Sequence, residues 1–298
     1  MSLLSRHVHR LMRDWFLIGM LAAVLFASLF PDVGRSGGAL HAELASNLGI
    51  ALVFFLHGVG ISFSHLKAGL RRWPVHVVVQ SLTFVAFPIL YYPFSFLFDG
   101  LFPQGLMLGF LYLCTLPGTI SSSVAMTGLA RGNVPAAIFN ATLSSLIGIG
   151  LTPLLVNLMA HSSGEGLPLM DTVIGLVRLL LLPLVAGQVL RPVIGPWVHR
   201  HKAFTSKVDK IVILLLVYAA FCDSVAAGLW SNNSVTVIAS TLLGAALFLA
   251  TALGLSTFVA RWLGFTREDE IATVFCGSKK TLASGVPMAK LLFGTHPS

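Results

Sequence analysis

Cys276-Gly277-Ser278-Lys279-Lys280-Thr281-Leu282-Ala283-Ser284-Gly285-Val286-Pro287-Met288-Ala289 sets two adjacent lysines, two glycines and a proline inside a run otherwise apolar enough to span a bilayer. A lysine at the centre of a membrane helix costs ~3 kcal/mol on insertion scales, so a pair is kept only where it faces protein, water or a counter-charge. Glycine and proline in the same few residues loosen the helical ladder and free backbone groups to bind something. The stretch reads as a site on a substrate or ion path.

The rest of the chain fits a bilayer. Of its 298 residues 56% are hydrophobic and only 10% charged, and the mean hydropathy is +0.87, whereas a soluble domain carries about a quarter charged residues. The net charge of +8 forms no stripe interleaved with aromatics, which argues against nucleic acid. Cys114, Cys222 and Cys276 lie in apolar spans without metal-ligand spacing and read as small core residues. No HExxH, Gly-x-Ser-x-Gly, Walker loop or paired carboxylate is present, so neither an enzyme nor a cofactor is expected.

Runs long enough to cross a hydrocarbon core of ~30 Å are Trp15 to Phe30, Ala45 to Phe63, Trp73 to Phe98, Gln104 to Leu129, Val134 to Ala160, Leu169 to Ile194, Val208 to Trp230, Val235 to Leu263 and Ile271 to Phe293. Lysine and arginine collect in alternate loops: Arg6, Arg10 and Arg13 before the first span, Lys67, Arg71 and Arg72 after the second, Arg131 after the fourth, Arg191 to Lys210 after the sixth, Arg261 and Arg267 after the eighth. The expectation is a multi-pass protein of the cell (inner) membrane with a cytoplasmic amino terminus. Gly195 to Lys207, with Trp197 and Phe204, reads as an interfacial connector.

The fourth span is broken as well. Leu116-Pro117-Gly118-Thr119-Ile120-Ser121-Ser122-Ser123 sets a helix breaker before a hydroxyl cluster, five spans ahead of the lysine-bearing ninth. An odd spacing of broken helices is the mark of an inverted-topology repeat, whose two broken helices meet at the midplane. Residues 1–160 would form one five-helix repeat and 161–298 a second, incomplete one.

Gly277-Ser278-Lys279-Lys280-Thr281-Leu282-Ala283-Ser284-Gly285-Val286-Pro287-Met288-Ala289, with Pro117-Gly118-Thr119 and Leu129-Ala130-Arg131-Gly132-Asn133, resembles the bile acid:sodium symporter superfamily, most closely a divergent bacterial branch. The resemblance implies an all-α fold of ten helices in two inverted repeats. A core domain (about 73–160 and 235–298) would move against a panel domain (about 15–63 and 169–230), and the fourth and ninth helices would unwind and cross. Nine spans are read here, and the expected tenth is not. Sodium and an organic anion would bind near the crossing.

The chain also departs from that pattern. Where the sodium-coupled members carry an acidic residue, a glutamine and an asparagine, this chain has Phe275, Lys279 and Lys280. A cation beside Lys279 would be repelled, and the ammonium itself is expected to take the place of sodium. Sodium-independent and proton-coupled transport both remain open.

Each candidate has a plainer reading. The lysines could snorkel to an interface, but about eight residues of span precede Lys279 and more than ten follow it, about what a mid-membrane position needs. Ser121, Ser122 and Ser123 could merely permit close packing, and Gln80 and Asn140, in the third and fifth spans, could be interhelical glue. His57 and His76 read as packed histidines. The expected site comprises Lys279, Lys280, Gly277, Ser278, Thr281, Pro117, Gly118, Thr119, Ser121, Ser122, Ser123, Gln80 and Asn140. The function expected is secondary active transport of an organic anion. The alternatives are an ordinary sodium-coupled symporter and a non-transporting regulatory membrane protein that keeps the fold.

Overall fold

The computed structural model describes residues 15–60, 71–160, 169–228 and 235–293. Arg6, Arg10, Arg13 and Lys67, which bear on the orientation, lie outside them. Among the described residues the regular elements are all helical. In chain order they are α1 (Trp15–Leu29), α2 (Ala42–Gly60), α3 (Trp73–Leu97), α4 (Gln104–Thr115), α5 (Ser121–Leu129), α6 (Val134–Ala160), α7 (residues 169–200), α8 (Lys202–Ala226), α9 (Val235–Trp262), α10 (Arg267–Ser278) and α11 (Leu282–Phe293). Five of them, α2, α3, α6, α7 and α9, are long and apolar enough to cross a membrane. The chain is an all-α polytopic membrane protein. Leucines such as Leu21, Leu25, Leu242 and Leu243 are exposed along these helices, as expected where lipid replaces water.

One expectation is corrected. The tract from Gly195 to Lys207 is no separate connector: α7 continues through Pro192 and Pro196 to Arg200, and α8 starts at Lys202. A proline removes one backbone donor, and a membrane helix absorbs that more readily than a soluble one. The turn comes at His201, whose ring stacks on Trp197 at 4.6 Å.

The chain divides into two compact units. The first comprises residues 1–60 and 183–234. In it α8 packs on α1, on α2 and on the one-turn helix Pro31–Gly34. The backbones of α2 and α7 nearly touch: a Cβ at Gly187 would stand 2.2 Å from the Phe55 carbonyl oxygen, and one at Gly58 2.2 Å from that of Leu184. Gln188 Nε2 donates to the Gly58 carbonyl at 2.7 Å. His57 is packed as expected, with Asp209 of α8 at 3.7 Å. Asp223 accepts from Ser36 N–H at 2.6 Å and from its hydroxyl at 3.0 Å.

The second unit comprises residues 61–182 and 235–298. The helices α6, α5 and α3 pack against α10, and α9 runs beside it. One end is filled by rings: Phe87, Phe94, Phe98, Phe102, Phe110 and Phe248 form a buried cluster. At the start of α10, Thr266 caps the helix by accepting from Asp269 N–H at 3.3 Å. Buried Asp269 accepts from Asn133 Nδ2 at 2.7 Å and lies 3.5 Å from Arg72, while Glu270 meets Arg261 at 2.9 Å and Arg267 at 3.2 Å. The Leu129–Asn133 motif therefore fastens the α5–α6 turn to α10, with Gly132 leaving room for Ile271.

Candidate functional site

Pro117 has no N–H, so α4 stops at Thr115 and the chain runs extended through Leu116 (φ −65°, ψ 148°). In the ninth span α10 stops at Ser278, and Lys279 is extended in the same way (φ −109°, ψ 139°). The two stretches lie antiparallel, joined by one β-bridge between Gly118 and Lys280 and by Thr281 N–H donating to the Pro117 carbonyl at 3.0 Å. The two broken spans therefore cross. The approach depends on Gly148 of α6, where a Cβ would lie 2.7 Å from Pro117 Cβ.

A helix end leaves as many as four carbonyls without intrahelical donors, and in a bilayer each must be met inside the protein. At α4 every one of them is met. The Tyr112 carbonyl takes the Thr115 hydroxyl at 2.8 Å, that of Leu113 takes Leu116 N–H at 3.4 Å, and that of Thr115 takes the Thr152 hydroxyl at 2.8 Å. The Cys114 carbonyl has neither usual donor, because Pro117 stands three residues on and Gly118 N–H is turned to Ser144 Oγ at 2.8 Å. Lys280 Nζ donates to it at 3.1 Å and to the Leu116 carbonyl at 2.7 Å.

The third bond of Lys280 goes to α3. A π turn spans Leu82–Ala86, in which Phe87 N–H reaches back to the Leu82 carbonyl. The next position is Pro88, so the Thr83 carbonyl has no backbone donor, and Lys280 Nζ supplies one at 2.8 Å. An ammonium carries three N–H groups, and each has a carbonyl. The same nitrogen lies 4.1 Å from the Phe87 ring centroid, within cation–π range. Thr83, Phe87, Cys114 and Leu116 are all buried.

Lys279 is placed differently, since neighbouring side chains on extended backbone point to opposite sides. Its Nζ lies against Met126 Sδ of α5 and 4.9 Å from the Phe275 ring centroid. Among the described residues no salt bridge joins either lysine to a carboxylate. The sequence reading puts Lys279 in the place of a bound cation, yet the carbonyl oxygens gather round Lys280.

The other expected residues fall into four groups. Ser123 is buried and donates to the Phe275 carbonyl at 2.8 Å, Ser278 donates to that of Val274 at 2.6 Å, and Gly277 packs under Leu82. Pro117, Gly118 and Thr281 form the crossing itself. Ser121 and Ser122 are exposed, with the Ser122 hydroxyl donating to Thr119 Oγ1 at 3.3 Å. Gln80 and Asn140 meet each other across α3 and α6, Gln80 Nε2 lying 3.2 Å from the Asn140 carbonyl and 3.3 Å from its Oδ1, while Asn140 Nδ2 donates to the Ala136 carbonyl at 3.1 Å. The sequence reading did not single out Ser144, Thr152 or Pro88. Pro88, in the middle of the third span, was the available signal, because a proline there always strands a carbonyl one turn earlier.

The model of the SBF-like CPA transporter family matches residues 14–298. Among curated proteins, "Uncharacterized protein PA2026" of Pseudomonas aeruginosa is 46% identical over 286 residues, covering 96% of this chain and 85% of that protein. "Putative symporter YfeH" of Escherichia coli (strain K12) is 42% identical over 283 residues, 95% of this chain and 84% of that protein. "Sodium/bile acid cotransporter 7" of Rattus norvegicus is 31% identical over 300 residues, 98% and 86% respectively. Matched along nearly its whole length, this multi-pass membrane protein is a transporter rather than an enzyme, and it belongs to the SBF-like CPA transporter family.

Proposed function

We propose that the chain carries an organic anion across the membrane by alternating access. The anion's negative group is held at Lys279, and lysine charge at the crossing takes the place of the sodium ligands used by sodium-coupled members. One observation carries this reading. The three N–H groups of Lys280 are all taken by carbonyls, whereas Lys279 meets a thioether and a ring face, neither of which neutralises its charge. On α5, exposed Ser122 stands one turn before Met126, whose thioether Lys279 meets, so the two share a helix face, and hydroxyls and a helix N-terminus suit a carboxylate or sulfate. In this reading residues 73–160 and 235–298 act as core and 15–63 and 169–230 as panel, in two inverted repeats, with the amino terminus on the cytoplasmic side of the inner membrane.

A second reading is a sodium-coupled symporter, favoured by the name of the rat relative. Thermal stability of the detergent-purified protein against a panel of organic anions, in sodium and in choline, separates the two. The expected result is stabilisation by one anion in both salts, and weakening of its binding by about 10-fold to 100-fold in Lys279→Gln, the loss of one charge-assisted bond. Uptake into proteoliposomes falls in parallel. Unchanged binding in Lys279→Gln removes that lysine from the site, and stabilisation that requires sodium favours the symporter.

A further inference from the structure

We infer that the carbonyls of Thr83, Cys114 and Leu116 form a site for a small monovalent cation, which the chain fills permanently with the ammonium of its own Lys280. The inference rests on the reading that lysine charge replaces a coupling ion, and it names which lysine does so and what holds it.

The ligand set decides the charge of the cation. Three neutral oxygens at 2.7 to 3.1 Å from Nζ and a ring face at 4.1 Å offer partial negative charge only, and no salt bridge to Lys280 is present among the described residues. Hard divalent ions require carboxylates and six or more oxygens, so this cage suits a single positive charge. The ring face adds a preference for an ammonium over a strongly hydrated alkali ion.

The sequence makes the cage and its occupant together. Pro88 and Pro117 withhold two backbone donors, Ser144 diverts a third from Gly118, and the bridge at Gly118 delivers Lys280 to the oxygens left over. A free ion would leave and return with each transport cycle. A tethered one stays, so no sodium is needed at this point.

Cutting the tether tests this directly. Lys280→Ala removes three methylenes and the nitrogen, the outline of n-propylammonium. Melting temperatures of wild type and Lys280→Ala are compared in choline, sodium, potassium and n-propylammonium chlorides, with 1-propanol as an uncharged filler of the same space. Wild type is expected to give the same melting temperature in all the salts. Lys280→Ala is expected to melt about 10 °C lower in choline, for three stranded carbonyls, and to regain at least half of that in n-propylammonium but none in 1-propanol.

The inference is overturned by a variant as stable as wild type, by a loss that no cation repairs, by equal repair with propanol, or by wild type that sodium stabilises. Should Lys280→Ala yield no folded protein, Lys280→Met keeps the stem and removes the charge. A melting temperature below wild type that no cation restores is then expected, and an unchanged one overturns the inference. No organic anion enters these measurements and chloride is common to all the salts, so a failure of the anion-transport reading leaves their outcome untouched.

Discussion

Replacing Pro88 by alanine returns a backbone N–H to the one place in α3 where the Thr83 carbonyl lacks one, and so puts that N–H in competition with Lys280. In the native chain Lys280 serves three carbonyls, at 2.8 Å (Thr83), 3.1 Å (Cys114) and 2.7 Å (Leu116). Each buried carbonyl left without a donor costs about 1–3 kcal/mol, so Lys280→Met in the native background is expected to lose up to about 3–9 kcal/mol if nothing relaxes. In the Pro88→Ala background the new backbone N–H meets the Thr83 carbonyl, one of the three is already satisfied, and the same substitution should lose about 1–3 kcal/mol less. Pro88→Ala alone should change little or stabilise, since an interior proline disfavours a helix by as much as ~3 kcal/mol. The assay is a double-mutant cycle on unfolding free energies from SDS titration in mixed micelles. Additivity within about 0.5 kcal/mol would refute the claim that proline, π turn and lysine form one device.

Two further substitutions test the packing around the crossing and in the first unit. Thr152→Val removes the hydroxyl that meets the Thr115 carbonyl at 2.8 Å while keeping side-chain volume, and should destabilise by about 1–3 kcal/mol; an unchanged SDS midpoint would mean that carbonyl has another donor. Gly187→Ala in α7 would place a methyl 2.2 Å from the Phe55 carbonyl oxygen, so the helices must part, at an expected loss of about 1–3 kcal/mol, whereas Gly109→Ala, with nothing within 4 Å, should be nearly neutral in the same assay.

The membrane class, the broken fourth span and the lysine motif were legible because composition and breakers act locally. Which lysine faces the oxygens was not. Lys279 and Lys280 are adjacent, and the choice depends on the extended backbone at Lys279 and the bridge to Gly118, a contact between residues 162 positions apart along the numbering. The partners of the crossing were hidden for a similar reason. Ser144 and Thr152 sit in an apolar helix among other hydroxyl residues, Thr142 and Ser145, that merely bond to carbonyls one turn back in their own helix. Nothing in a single sequence separates the hydroxyl that reaches across from the one that turns home. The run from Gly195 misled because Trp197, Phe204 and the basic residues suggest an interface, while α7 carries Gly195 and Pro196 within its helix as far as Arg200.

Broken helices at membrane depth are commonly pictured as hinges. Here each break is closed by a backbone bridge, by Thr281 N–H on the Pro117 carbonyl, and by one ammonium shared among three carbonyls. Bending at either break would open several of these bonds at once and strand the carbonyls of buried residues Thr83, Cys114 and Leu116. The crossing is therefore a rivet. Force applied at one end of α4 passes to α11 without slack, so the compliance needed for a transport cycle has to come from elsewhere in the fold.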